Sequence, residues 1–138
     1  MVWKNPEDIE IKKILEDAKT IAVVGLSANE EKTAYQIAKI MQDNGYKIIP
    51  VNPTVDSVLG EKAYDSLTDI DVPFDIINVF RRPEYLPQLA KEAVKTDCRI
   101  FWAQLGISNE EAYEYLVEHE FTVIMDKCIK VAYSELVK

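Results

Sequence analysis

Residues 21–28 read IAVVGLSA, which joins a short apolar run to a turn that contains Gly25 and Ser27. The apolar run is continuous and rich in β-branched residues, as in strands that are covered on both faces of a parallel sheet. Apolar residues then repeat at helical spacing: Ala34, Ile37, Ala38 and Met41. A strand, a glycine turn and a helix in succession form the basic unit of an α/β fold.

Four further apolar runs follow at nearly even spacing, at residues 48–51, 76–80, 100–103 and 121–125. Helical patterns separate them, except that residues 54–74 predict a loop with at most one short turn at 66–70. We therefore expect an α/β fold over residues 1–138: a single doubly wound domain with a five-stranded parallel sheet. By analogy with other doubly wound sheets, we expect the strand order 3-2-1-4-5. Pro50 has no N–H for a ladder bond, so we expect it at the very end of the second strand.

Polar residues indicate where two of the helices begin. Asn5 followed by Pro6 predicts an N-cap and first turn near the start of the chain. Ser108 with Glu111 fits a capping box for the helix after the fourth strand.

The charge balance excludes some classes of partner. The chain has 16 Lys and Arg against 24 Asp and Glu, a formal net charge of −8. Nucleic acids and anionic membranes are bound by basic surfaces, so we expect neither as a partner. The first residues contain no signal-peptide pattern, and no apolar run approaches the about 18 residues of a membrane span, so we expect a cytoplasmic protein.

The reactive side chains form no familiar catalytic or metal-binding pattern. Cys98 and Cys128 are too few for a disulfide framework. The single histidine, His119, falls at a helix end that is predicted opposite to the ligand edge. Because no acid–base pair or metal-ligand spacing is visible, the sequence leans away from an enzyme.

Ligands of open α/β sheets bind outside the carboxyl ends of the strands. The turn Gly25–Ser27 lies there and leads to a helix that begins near Lys32, whose N-terminus attracts phosphate. An ordinary βα turn that binds nothing is the other interpretation. The full G-x-G-x-x-G pattern is absent, because Ser27 and Glu30 replace the second and third glycines.

The second strand ends in Asn52 and Pro53. A site for NAD usually has an acidic residue at this point, which accepts hydrogen bonds from the ribose hydroxyls. Asn52 is able to bond a ribose or an amide but does not select NAD, and it equally suits a turn before Pro53. An NAD(P)-dependent oxidoreductase therefore remains only an alternative.

Arg81 and Arg82 directly follow the third strand, where guanidinium groups suit phosphate oxygens, although a solvated charge pair is also possible. Gly106 follows the fourth strand and permits close approach of a ligand, or simply forms a turn. Cys128 follows the fifth strand beside Lys127, at a predicted helix N-terminus that favours the thiolate. A redox module that forms a mixed disulfide through Cys128 is thus a further alternative, against an inert cysteine on a helix face.

With these segments in place, the sequence resembles the small stand-alone CoA-binding proteins and is similar to the CoA-binding domain of the succinyl-CoA synthetase α subunit. Six short motifs occur in the family's order over about residues 10–130, and their number and order make the resemblance specific. They are residues 23–27 (VVGLS), 45–53 (GYKIIPVNP), 59–64 (LGEKAY), 79–82 (VFRR), 102–106 (WAQLG) and 125–128 (MDKC).

The resemblance implies a Rossmann-type domain that holds coenzyme A or an acyl-CoA across the carboxyl edge of the sheet. The turn Gly25-Leu26-Ser27 and Arg81 or Arg82 would meet the phosphates, and Asn52 and Pro53 would line the nucleotide side. Val79, Phe80, Leu105 and Gly106 would lie along adenine or pantetheine, with Lys127 and Cys128 at the far end. The synthetase's phosphohistidine partner and ATP-grasp subunit have no counterpart here, so ligase activity does not follow from the fold. We therefore expect a non-catalytic carrier or sensor.

The acidic composition restricts the size of a charged partner more than the sign of the partner's charge. A domain of net charge −8 can bind one phosphate-rich molecule if its cations concentrate at one sheet edge. The residues expected to do so are Lys32, Arg81, Arg82 and Lys127.

Overall fold

Strands and helices alternate along residues 3–137, the part of the chain that this computed structural model describes. Residues 1, 2 and 138, at the ends of the predicted domain, lie outside it. The α-helices are α1 (Asp8–Asp17), α2 (Thr33–Asp43), α3 (Leu86–Ala93), α4 (Glu110–Glu118) and α5 (Ile129–Leu136). The strands are β1 (Thr20–Val24), β2 (Lys47–Val51), β3 (Ser57–Val58), β4 (Glu61–Lys62), β5 (Ile76–Val79), β6 (Ile100–Ala103) and β7 (Thr122–Ile124).

The five longer strands form a parallel sheet in the order β2-β1-β5-β6-β7. The predicted fold class and the five-stranded parallel sheet are confirmed. The predicted order 3-2-1-4-5 is not: counted among these five strands, the order is 2-1-3-4-5. Strand β5 lies between β1 and β6, where all four of its residues are buried, and β2 lies at the edge of the sheet.

Pro50 is compatible with the edge position of β2. It lies one residue before the end of the strand, opposite Val23 of β1, and not at the very end as expected. Its carbonyl points away from β1 and accepts a hydrogen bond from the Tyr64 N–H at 3.0 Å. The proline nitrogen faces the same outer side of the sheet, where no ladder bond is lost, because a residue's N–H and C=O point to one side of a strand.

The segment between β2 and β5 contains no long helix, as predicted. Its residues form the antiparallel hairpin β3–β4 and a single 3₁₀ turn at Leu67–Asp69. The chain crosses over β1 through this segment before it enters β5, so the third long strand pairs with the free side of β1.

Each face of the sheet is covered by its own set of helices. Helices α3 and α4 pack on one face, with Phe101 among the buried residues there. Helices α1, α2 and α5 pack on the other face around Trp102, which is fully buried. Successive residues of a strand point to opposite faces, so both cores share the same strands.

The two predicted helix starts are wrong by one or two residues. Helix α1 begins at Asp8, and Asn5 instead exchanges two hydrogen bonds with the backbone of Met125, at 2.8 and 2.9 Å. The cap of α4 is Asn109, whose side chain accepts from the Ala112 N–H at 2.9 Å, and not Ser108. An asparagine carboxamide can both donate and accept, which suits it to either task.

Candidate functional site

A crevice opens at the carboxyl edge of the sheet between β1 and β5. The chain continues from β1 to β2 on one side and enters β5 on the other, so the loops after β1 and β5 diverge. The space between them measures about 670 Å³. It is lined by the β1 turn, the start of α2 and the loops after β5 and β6: Gly25, Ser27, Lys32, Thr33, Ala34, Phe80, Arg81, Arg82, Pro83, Gln104, Leu105 and Ile107.

Gly25 brings the β1 turn against the end of β5. Its φ is +88°, and a Cβ added here would lie 2.6 Å from the carbonyl oxygen of Phe80. Its N–H donates to the Val51 carbonyl at 2.9 Å, and the Phe80 N–H donates to Val24 at the same distance. Only glycine fits this approach in the left-handed conformation, so the floor of the crevice depends on this residue.

The N-terminus of α2 faces the crevice without a capping side chain. Lys32 is the N-cap residue, and the first turn contains no acidic residue. The first backbone N–H groups of a helix have no partner within the helix and concentrate partial positive charge. Thr33 and Ala34 of this turn line the cavity, which makes the helix end suitable for an anion.

Three exposed cations surround the same space. Lys32, Arg81 and Arg82 all line it. The ion pairs found within residues 3–137 are Lys13–Asp17 and Lys39–Asp43, and neither involves the crevice. The Arg81 guanidinium lies 4.6 Å from the centre of the Tyr85 ring, which supports it over the opening. Positive charge is therefore concentrated here in a protein of net charge −8.

Gln104 was not among the predicted site residues. It is 5% exposed and lines the crevice. Its Oε1 lies 3.4 Å from the Ile129 N–H and 3.5 Å from the Asn78 Nδ2, and both groups donate toward it. These donors determine which way the amide points and leave its Nε2 without a hydrogen bond to any described residue. Its position just after a buried strand, at the carboxyl edge, was the available signal.

The predicted site residues divide into two groups. Those that line the crevice are Gly25, Ser27, Lys32, Phe80, Arg81, Arg82 and Leu105. Those outside its lining are Leu26, Asn52, Pro53, Val79, Gly106, Lys127 and Cys128. In the second group, Leu26 and Val79 have no exposed surface and support the crevice from beneath.

Asn52 joins the loops after β1 and β2. Its Nδ2 donates to the Leu26 carbonyl at 3.0 Å, and its Oδ1 accepts from the N–H and hydroxyl of Thr54 at 2.9 and 2.7 Å. This is the turn geometry that a short amide side chain favours. Asn52 therefore keeps the Gly25 turn in place, and Pro53 lies exposed beyond it.

The loops after β6 and β7 contact each other. The Asp126 carboxylate accepts from the Gly106 N–H at 2.7 Å, and the Lys127 carbonyl accepts from the indole N–H of Trp102 at 2.8 Å. Cys128 is the N-cap residue of α5 and is half-buried.

The two cysteines are expected to differ in reactivity. Burial raises the pKa of the Cys98 thiol to about 11, whereas Cys128 is partly accessible. Treatment of the folded protein with iodoacetamide at about pH 8 should add one group, at Cys128, because the thiolate is the nucleophile. Intact mass and peptide mapping measure this, with the denatured protein as the control that takes two groups. Equal modification of both cysteines in the folded state contradicts the expectation.

A second cavity, of about 610 Å³, lies at the opposite edge of the sheet. It is formed by the segment before β5 and the loop before β6, and it includes Asp71, Lys95 and Asp97. Its charged residues are mixed in sign, and it faces the amino ends of the strands. Both features separate it from the cationic crevice at the carboxyl edge.

Two other kinds of site are absent from the described residues. No group of three or more His, Cys, Asp or Glu side chains is placed to hold a metal ion between residues 3 and 137. Over the same residues, no helix combines the length and the apolar character that a membrane crossing requires.

Known proteins with similar sequences and structures exist. The chain is 57% identical over 131 residues to the uncharacterized protein YneT of Bacillus subtilis (strain 168), covering 95% of this chain and 97% of that protein. It is 33% identical over 88 residues to an ADP-forming acetate–CoA ligase of Methanocaldococcus jannaschii, covering 64% of this chain but 12% of the ligase. A hypothetical protein from Pyrococcus horikoshii OT3 superposes with a TM-score of 0.92 at 29% identity over the full length of both chains.

The family comparison covers most of the described chain. The sequence pattern described as CoA binding domain matches residues 19–134, from the start of β1 into α5. All four segments that line the crevice lie inside the match. The chain belongs to the CoA binding domain family.

Proposed function

We propose that this protein binds coenzyme A or an acyl-CoA in the crevice between β1 and β5, as a carrier or sensor and not as a catalyst. The observation that best supports this is that the crevice lining combines cationic groups with apolar side chains. Lys32, Arg81, Arg82 and the N-terminus of α2 provide the positive charge. Coenzyme A has the matching chemistry, because charged phosphates and a less polar pantetheine arm occur in one molecule.

The cationic groups of the lining bind the phosphates. Guanidinium groups donate paired hydrogen bonds to phosphate oxygens, and the N–H groups of the α2 first turn add donors without side-chain reorganisation. Arg81 and Arg82 have no carboxylate partner among the described residues, so binding breaks no ion pair. Ser27 lies between these groups, although its hydroxyl already accepts from the Asn29 N–H at 3.0 Å.

The apolar residues of the lining contact the rest of the ligand. They are Phe80, Pro83, Leu105 and Ile107, of which Leu105 is 66% exposed. Covering such a side chain with a ligand removes apolar surface from water, at about 25 cal/mol per Å². The unbonded Nε2 of Gln104 supplies a donor for a carbonyl or ring nitrogen of the ligand.

The lining offers binding groups and no acid–base couple. Its charged residues are all cations, and His119 lies at the C-terminal end of α4, away from the lining. Acyl transfer through a side-chain hydroxyl needs a base that activates it, and no Asp, Glu or His among the described residues lines the crevice beside Ser27 or Thr33. We propose that the shared region with CoA ligases provides CoA binding alone. Incubation with acetyl-CoA should leave the thioester intact.

Binding is tested by thermal unfolding and calorimetry with coenzyme A, acetyl-CoA and NADPH. Coenzyme A should raise the midpoint of unfolding progressively with concentration, since a ligand of the native state stabilises it by mass action. Lys32→Ala should weaken the effect, whereas Lys95→Ala, in the second cavity, is the matched control and should not. No stabilisation by coenzyme A at millimolar concentration contradicts the proposal, and stronger stabilisation by NADPH favours an oxidoreductase.

A further inference from the structure

Asp126 occupies an unusual backbone conformation between β7 and α5. Its φ is +57°, in the left-handed region that side chains other than glycine rarely adopt. Its N–H donates to the Ile107 carbonyl at 3.0 Å, and its Oδ1 accepts from the Gly106 N–H at 2.7 Å. Two hydrogen bonds from one residue thus hold the loop after β6. The hydrogen bond from the Gly106 N–H is the stronger of the two, because its acceptor is a carboxylate.

The loop after β6 forms one wall of the crevice. Leu105 and Ile107, on either side of Gly106, both line the cavity. Leu105 is 66% exposed, so packing against the core does little to hold it. Its position therefore depends on the backbone around Gly106, whose φ is +84° and whose N–H is bound to Asp126. The Gly106 N–H is consequently not free to bind a ligand directly.

We infer that Asp126 is a positioning residue for the ligand of the crevice: through the Gly106 N–H it holds Leu105 and Ile107 where the non-phosphate part of coenzyme A lies. This inference rests on the proposed function. Holding the loop before the ligand arrives reduces the ordering cost of binding. Asp126 itself is not among the residues that line the cavity.

Three substitutions distinguish the effect of the hydrogen bond on binding from the effect of the backbone conformation. Asp126→Asn keeps an acceptor oxygen and tolerates the left-handed conformation. Asp126→Gly removes the acceptor and relieves the backbone, and Asp126→Ala removes the acceptor in a strained backbone. Affinity is measured by calorimetry for coenzyme A and for inorganic pyrophosphate, and thermal unfolding without ligand gives the stability of each variant.

Asp126→Gly and Asp126→Ala should weaken coenzyme A binding about tenfold, equivalent to about 1.4 kcal/mol, and Asp126→Asn should stay within about twofold of the original protein. Pyrophosphate affinity should not change, because pyrophosphate binds only to the α2 N-terminus and the two arginines. If Asp126→Gly binds coenzyme A normally, if Asp126→Asn fails to rescue, or if pyrophosphate binding falls in parallel, the inference is wrong while the proposed function stands. If the unaltered protein binds no coenzyme A, both are wrong.

Discussion

Replacement of Gly25 by alanine is expected to lower the free energy of unfolding by about 3 kcal/mol or more, since a left-handed alanine costs about 1–2 kcal/mol and overpacking adds about 1–3 kcal/mol. The new Cβ would lie 2.6 Å from the Phe80 carbonyl oxygen and 3.2 Å from the Arg81 Cδ. A side chain could yield, but the Phe80 carbonyl belongs to the backbone directly after β5. The change must separate the β1 turn from β5.

Gly60 provides the matched control for this prediction. Its φ is +78°, close to that of Gly25, but nothing lies within 4 Å of a Cβ added there. Gly60→Ala should therefore cost only the conformational part, about 1–2 kcal/mol. Urea denaturation of both variants measures the difference. Equal losses for the two would show that the contact with Phe80 is not a steric limit.

The double substitution Arg81→Ala/Arg82→Ala is expected to weaken coenzyme A binding about 100-fold, because charge-assisted hydrogen bonds to phosphate are lost. It should also reduce the dependence of affinity on salt, since fewer screened charge interactions remain. Both arginines are exposed and lie outside the buried core, so the folded structure should persist. Calorimetry at two ionic strengths measures both effects.

A second double variant controls for total charge. Lys13→Ala/Lys39→Ala also removes two positive charges, but from ion pairs at the i,i+4 positions of α1 and α2. Exposed pairs of this kind contribute little stability. This variant should change affinity by less than about threefold. Similar losses in both double variants would mean that net charge, and not the position of the arginines, governs binding.

The order of the strands was the part of the fold that sequence reasoning misplaced. Each long strand was identified because a strand covered on both faces is continuously apolar, and the parallel arrangement followed from the helices between them. Periodicity does not determine which strand is central. Pro50 contained that information: a proline one residue inside a strand fits an edge, and an edge position for the second strand excludes the order 3-2-1-4-5.

The site was predictable in part for a similar reason. Residues that directly follow strands must collect at the carboxyl edge, so Gly25, Ser27, Arg81 and Arg82 share one crevice as anticipated. Roles within that edge depend on side-chain partners, which are distant in sequence. Local sequence alone does not predict that Asn52 bonds to Leu26. It also does not predict that Gln104 accepts hydrogen bonds from β5 and α5.

The helix caps illustrate the same limit on a smaller scale. Asn5 has the residue type and the following proline of an N-cap, yet its amide bonds Met125 at a separation of 120 residues. Capping preferences describe what a helix end favours in isolation. A backbone segment elsewhere with unsatisfied groups can compete for the same side chain.

The outward side of Pro50 also affects how copies of this chain meet in concentrated solution. An edge strand with free N–H and C=O groups is a template on which another chain can add a strand. Here the proline has no N–H to offer, and Tyr64 already pairs with its carbonyl and with the Asn52 N–H. Edge-to-edge aggregation through β2 is thereby disfavoured.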